Sequence, residues 1–154
     1  MQGARIFIDS NTFLYTFDAG EPGKSKVAQK WLEALSQDSI GATNLQVLNE
    51  LTSVVTRKQR RFPDGSPFFR VDVFAAFGST PLSNAASYTA RDIYVRYAYA
   101  WWDCLLLASA LELGCTHFLS EDLQDGQRIE AGGKALTIVS PFAHTPDQIL
   151  SRQG

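Results

Sequence analysis

Between Arg96 and Glu112 the only charged side chain is Asp103, set in the stretch YAYAWWDCLLLASAL (residues 97–111). An ionised carboxylate in so apolar a setting is costly to bury unless a cation or hydrogen-bond donors compensate it. No Lys or Arg lies within one helical turn of it. A fold that buries this stretch must bring the partner from elsewhere in the chain or from outside it. A second carboxylate, Asp9, closes another apolar run, IFID. A cation shared between acids is the economical explanation.

The chain is long enough to bury a core of its own. Its 154 residues, 45% of them hydrophobic, suit one domain spanning 1–154, with a core over about 4–143 and a surface tail over 144–154. The formal net charge of −2 advertises no global basic field, although a local basic patch beside an acidic site would vanish in the sum. The longest apolar stretch contains a charge and is shorter than the ~20 residues of a spanning helix, so no membrane segment is expected. The N-terminus enters a strand-like segment directly, with no signal-peptide pattern. Cys104 and Cys115 are not spaced as a redox or zinc motif and read as two reduced, packed thiols. A cytoplasmic location follows as the expectation.

Residues 4–9 read as a short buried strand, followed by a polar turn at Ser10-Asn11. From Lys24 to Leu35 the apolar spacing is that of an amphipathic helix. Residues 39–43 read as a second strand, and Thr43-x-x-Gln46 has the capping-box form, opening a helix to about Arg61. Pro63, Gly65 and Pro67 end it. Residues 68–77 suggest a short helix and 79–83 a weak strand. No Gly or Pro interrupts 85–113, so one helix or two are equally compatible, and Gly114 is a suitable stop. Residues 116–120 and 135–140 read as the last strands, around a Gly-rich loop at 125–133. Strands alternating with helices imply an α/β domain with a mostly parallel sheet.

In such sheets, ligand sites form beyond the carboxyl ends of the strands. Asp9 ends the first strand, and Asp122 follows the fourth in LSED. Glu50 lies about two turns into the helix after strand two, among Val47, Leu51 and Val54. Together with Asp103 these acids can converge on one sheet edge. Unpaired they would repel and some would have raised pKa values, which one or two Mg²⁺ or Mn²⁺ ions would relieve. Three of them have a plainer reading. Asp9 could be a helix or turn cap, Glu50 a solvated helix residue, and Asp122, with neighbours Glu121 and Asp125, could be turn chemistry.

Four segments in this order resemble the PIN-domain family, and within it the VapC-type ribonuclease toxins. They are FIDSNTFLY (7–15), LQVLNEL (45–51), WWDCLLLASALELG (101–114) and FLSEDLQDGQRI (118–129). The resemblance implies a three-layer α/β/α domain with about five strands and an acidic quartet of Asp9, Glu50, Asp103 and Asp122 holding Mg²⁺ or Mn²⁺. It places Asn11 and Ser120 in support of those acids. Ser10 stands where Thr is more familiar, and Glu121 leaves the choice of ligand beside Asp122 open. The implied activity is metal-dependent endoribonuclease cleavage of RNA by an activated water, leaving 5′-phosphate and 3′-hydroxyl ends. The implied partners are a small antitoxin and a second copy in a homodimer.

Arg57, Lys58, Arg60 and Arg61 could follow an RNA backbone, although basic residues at a helix C-terminus also complement its dipole. Trp101 and Trp102 could stack on bases, but beside Asp103 they read first as core or dimer interface. Two alternatives remain. A PIN-like RNA-binding module without activity would gain nothing from clustered acids. A haloacid-dehalogenase-like phosphatase needs an acid where Asn11 stands and a Lys before the late acids, and none occurs between Lys58 and Lys134.

Overall fold

The computed structural model describes residues 3–58 and 66–151. Strands β1 (Ile6–Ile8), β2 (Gly41–Ala42), β3 (His117–Leu119), β4 (Arg128–Ala131) and β5 (Lys134–Val139) form one sheet in the order β2-β1-β3-β5-β4. The first four strands in that order run parallel, and β4 pairs antiparallel with β5 at the edge. Helices α1 (Ser10–Tyr15), α2 (Pro22–Gln37), α3 (Leu45–Lys58), α4 (Phe69–Phe74), α5 (Asn84–Tyr97), α6 (Trp101–Glu112) and α7 (Pro146–Leu150) complete an α/β/α arrangement. Among the described residues no helix is long and apolar enough to cross a membrane.

Strands β1 and β3 are buried at every position because helices cover both faces of the sheet. Ile6, Phe7 and Ile8 are fully buried. Phe7 stacks on Phe118 across the β1–β3 pair, with ring centroids 5.2 Å apart. Full burial of one such side chain contributes about 1.5–3 kcal/mol. Trp31 of α2 is buried beneath the C-terminal segment, where its indole N–H donates to the Pro141 carbonyl at 2.9 Å.

Several local expectations are corrected. Ser10-Asn11 is no turn but the start of α1, with the Asp9 carboxylate accepting from the Ser10 N–H as its cap. The cap of α3 is Asn44, whose Oδ1 accepts from the Val47 N–H at 3.0 Å. Thr43 is taken up elsewhere, its hydroxyl donating to the Ile8 carbonyl at 3.1 Å. The weak strand expected at 79–83 reduces to one parallel bridge, Asn44 to Thr80. The fifth strand lies instead inside the Gly-rich loop, as β4, where Gly132 and Gly133 take φ of 61° and 74° in the tight turn to β5. The segment after Pro141 is not only surface, since α7 closes with a Thr145–Gln148 capping box and buries Ile149 in the core. Of the breakers expected after α3, Pro63 and Gly65 lie outside the described residues.

The uninterrupted span 85–113 is two helices. Ala98 breaks it in the left-handed region, at φ 59° and ψ 31°. The break places Asp103 in the first turn of α6, while residues 104–111 behind it are all buried. A helix buried all round must be apolar all round, which accounts for the composition of the stretch.

Candidate active site

Strands β1 and β3 lie side by side, so the residues that follow them leave the sheet at one edge. Asp9 leaves β1, and its N–H is held by the Leu119 carbonyl at 3.2 Å. Ser120 leaves β3, its N–H donating to Val139 at 2.9 Å. The Ser120 hydroxyl, fully buried, donates to Asp9 Oδ2 at 3.0 Å. The Ser10 N–H donates to Asp9 Oδ1 at 2.7 Å. Asp9 is thus oriented at both oxygens, and its capping of α1 coexists with its place at the sheet edge.

Asp122 follows two residues after Ser120, its N–H donating to the Ser120 hydroxyl at 3.3 Å. The Asn11 amide, in the first turn of α1, donates to Asp122 Oδ2. Glu50 enters from α3 and Asp103 from the N-terminal turn of α6, both half-buried. The structure therefore brings together the four acids singled out in the sequence, with Asn11 and Ser120 as their hydrogen-bond partners.

Burial and neighbouring charge strain three of these acids. Burial pushes the Asp9 carboxyl up to about 7, with hydrogen bonds from Ser10 and Ser120 opposing it and the charges of Glu50 and Asp103 adding to it. Burial raises Glu50 as well, against the neighbouring Ser10 and Gln46 side chains, and the Asp103 charge adds. Asp103 is raised by burial and by the charge of Asp122. The positive end of α6 offers Asp103 a partial compensation. Among the described residues none of these four acids forms an ion pair with Lys, Arg or His.

The acids beside Asp122 have other partners. Glu121 turns away to an ion pair with Lys24 and accepts from the Tyr15 hydroxyl at 2.7 Å. Lys24 is held there by the rings of Tyr15 and Phe142, each centroid 5.0 Å from its Nζ. Asp125 is occupied by the Ser140 N–H at 2.8 Å and by His144 Nε2 at 2.8 Å. Nothing in the sequence signals the Lys24–Glu121 pair, whose members stand 97 residues apart. The role of Ser10 beside both Asp9 and Glu50 is carried by a backbone N–H and a local hydroxyl, and only the hydroxyl was legible.

The donor set suits a hard divalent cation, being carboxylate oxygen throughout with no protein cation among the described residues paired to it. The acids stand as neighbours rather than as a closed cage. Among the described residues no three His, Cys, Asp or Glu side chains are close enough to hold one ion as they stand. Of the basic cluster, Arg57 is exposed, with its Nε donating to the Ser53 carbonyl at 3.4 Å. Arg60, Arg61 and the side chain of Lys58 lie outside the described residues. Trp102 is not core, being 65% exposed, and Trp101 is 38% exposed.

Comparison with known proteins places this geometry in context. The family model of the PIN domain matches residues 6–127. Similar solved structures include VapBC2 of Rickettsia felis bound to a promoter DNA fragment. It has a TM-score of 0.63 at 13% identity and covers 88% of this chain and 97% of that one. A toxin–antitoxin complex of Klebsiella pneumoniae gives 0.64 at 17% identity, over 90% of this chain and 98% of that one. VapC20 of Mycobacterium tuberculosis, a sarcin–ricin loop cleaving toxin, gives 0.55 at 16% identity, over 73% and 86% of the two chains. No curated protein gives a significant match.

Proposed function

The chain belongs to the PIN-domain family, and from that premise we propose that it is a divalent-metal-dependent endoribonuclease, the toxin of a toxin–antitoxin pair. The observation that carries the reading is the convergence of Asp9, Glu50, Asp103 and Asp122 with no protein cation among the described residues to balance them. A structural role would gain nothing from such repulsion, whereas a cation site requires it.

In this reading the four carboxylates hold Mg²⁺ or Mn²⁺. When bound, such an ion supplies an activated water and charge stabilisation for an RNA phosphodiester. The chain's own residues supply orientation. Ser120 and the Ser10 N–H fix the two oxygens of Asp9, and Asn11 fixes Asp122, so the donors are presented without rotamer freedom. The exposed side of Asp122 and the half-buried Glu50 leave the cluster open to a polymer from solvent. The similar Klebsiella structure is a toxin–antitoxin complex, which supports a small antitoxin as partner, and a homodimer is the assembly the resemblance implies. A single domain over 1–154, acting in the cytoplasm, completes the proposal.

The test is cleavage of single-stranded and looped RNA with Mn²⁺, with EDTA, and by Asp103→Asn. The expected result is metal-dependent cleavage with 5′-phosphate ends, lost in EDTA and in the variant. RNA binding without cleavage in any metal would instead favour an inactive binding module. Phosphate release from small monoesters would favour a phosphatase.

A further inference from the structure

Beside the carboxylates lies a pocket of about 550 Å³ that this chemistry does not use. It is bounded by the N-terminal half of α3, by Pro81 and Leu82, and by Trp102 at the mouth of α6. Glu50 lines it, and Trp102 immediately precedes Asp103, so the pocket is continuous with the acidic cluster. Its volume lies within the ~300–1,000 Å³ of small-molecule sites, room for one planar group and its substituents.

The wall is pre-formed. The segment bearing Pro81 and Leu82 is pinned to the start of α3, with the Leu45 N–H donating to Thr80 at 3.0 Å and the Thr43 N–H to Phe77 at 3.3 Å. Gly78 permits this approach, since at its φ of 143° a Cβ would fall 2.6 Å from the Thr43 carbonyl oxygen. No side chain but glycine tolerates both constraints.

The lining has two characters. Leu45, Pro81, Leu82 and the indole of Trp102 are apolar, and among the described residues Trp102 has no aromatic partner. Gln46 and Asn49 place two amides along one edge. The Gln46 Nε2 is shut off from solvent and meets no acceptor at hydrogen-bonding distance. An unsatisfied buried donor is a standing cost that a ligand acceptor would remove. A flat exposed indole, amides at one edge and a charged cluster next door together describe a nucleotide. The base has the π-face and the edge groups, and its phosphate would meet the cluster through the divalent cation those carboxylates hold in the proposed reading.

A second copy of the chain fits less well. An apolar interface closed over this face would bury Glu50, Asn49 and Gln46 without partners. Farther along the same face of α3, one turn beyond Ser53 of the pocket, stands the exposed Arg57, a cation for the next phosphate of a strand.

We propose that this pocket takes one unpaired base of the RNA whose phosphate lies at the carboxylate cluster, stacked on Trp102 and read at its edge by Gln46 and Asn49. The inference rests on the ribonuclease reading for its substrate class. It adds which residues would hold one nucleotide, whose base must be unpaired since a paired base has both its faces and its edge occupied.

The experiment measures binding apart from cleavage. Asp103→Asn is titrated with a labelled five-nucleotide single-stranded RNA in Mn²⁺ by fluorescence anisotropy, alone and combined with Trp102→Ala or Trp102→Phe. Trp102→Ala is expected to weaken binding roughly 5- to 100-fold and Trp102→Phe far less, from the strength of base–aromatic stacking. An abasic residue at one position of the RNA should cause the same loss, with no further loss in Trp102→Ala. Unchanged affinity in Trp102→Ala overturns the proposal, as does an equal loss at every abasic position. So does a dimer that Trp102→Ala converts to monomer in sedimentation. If the binding pattern holds but the unmutated chain does not cleave the same RNA, the pocket stands and the ribonuclease reading falls. If that chain cleaves and Trp102→Ala leaves KM unchanged, the pocket alone falls.

Discussion

The Ser120 hydroxyl donates to Asp9 Oδ2 at 3.0 Å and accepts from the Asp122 N–H at 3.3 Å, so one buried group ties together acids from two strand ends. Ser120→Ala removes the only side-chain donor to Asp9 Oδ2 among the described residues. The expected loss of cleavage is about 10–100-fold, as for a partner that orients a ligand rather than being one. Stability should fall by about 1–3 kcal/mol, because Asp9 is buried and its oxygen is left unpaired. Ser120→Thr, which keeps the hydroxyl, should recover part of the rate. Wild-type activity in Ser120→Ala would remove Asp9 orientation from the account.

Asp9 also sets a pH dependence. Burial, with two neighbouring carboxylates, holds its pKa at about 7, against an ordinary value of 3.8. A carboxyl raised on folding binds its proton more tightly in the native state. Its stabilising contribution is therefore complete below about pH 4 and is lost as pH rises through about 7. The metal-free chain should melt higher at pH 5 than at pH 8, by about 2–4 °C for each kcal/mol involved. Asp9→Asn should flatten that slope. Mn²⁺ should raise Tm more at pH 8 than at pH 5, since cation and proton compete for the same oxygens. Thermal melts of both proteins with and without Mn²⁺ decide it, and an identical slope in Asp9→Asn counts against the buried carboxyl as its source.

Glu121 and Asp122 are adjacent but separable. Asp122→Asn alters the carboxylate that Asn11 orients, and the rate should drop beyond the ~10–100-fold typical of an outer partner. Glu121→Gln keeps a hydrogen-bonding group for Tyr15 but weakens the tie to Lys24. Its cleavage rate should stay within about threefold of wild type, since the pair is partly solvated and Glu121 is engaged by Tyr15 and Lys24. Equal damage in both variants would return Glu121 to the metal site.

Asp103→Asn should abolish cleavage and leave the metal-free fold as stable or more so. The substitution removes a charge that adds to the strain on Asp9 and Glu50, while the neutral amide still suits the first turn of α6. A lower Tm for the variant without metal would show that the charge is favourable where it stands. That outcome would point to the helix dipole as its main partner.

Much of this arrangement was legible because periodicity and strand–helix alternation report burial directly. The acids at strand ends, and Asp103 in its apolar run, stood out because burying a charge is costly. What was not legible depended on tertiary choices. Thr43 and Asn44 were equally able to cap α3, and the Ile8 carbonyl claimed the first of them. The weak strand at 79–83 lost its place because Gly78 brings that segment against Thr43, leaving one bridge. β4 was hidden in a glycine-rich stretch whose glycines make its turn rather than break its pairing. Lys24 and Glu121 carry no pattern that links them, and only the fold shows that Glu121 is engaged away from the cluster.

The corner between α5 and α6 offers the last test. Ala98 holds φ 59° and ψ 31°, and its N–H still donates to the Tyr94 carbonyl at 3.0 Å. For an L-residue with a Cβ this conformation costs about 1–2 kcal/mol, whereas glycine adopts it freely. Glycine also adds freedom to the unfolded chain, which returns about 0.4–1 kcal/mol of that gain. Ala98→Gly should therefore stabilise the chain by about 0.5–1 kcal/mol in urea unfolding, an unusual sign for glycine next to a helix. The corner positions the first turn of α6, so cleavage by the variant should remain at the wild-type rate if its geometry is kept. Stabilisation with lost activity would mean that Ala98 restrains where Asp103 points. Destabilisation would mean that its exposed methyl contributes packing that the backbone strain does not offset.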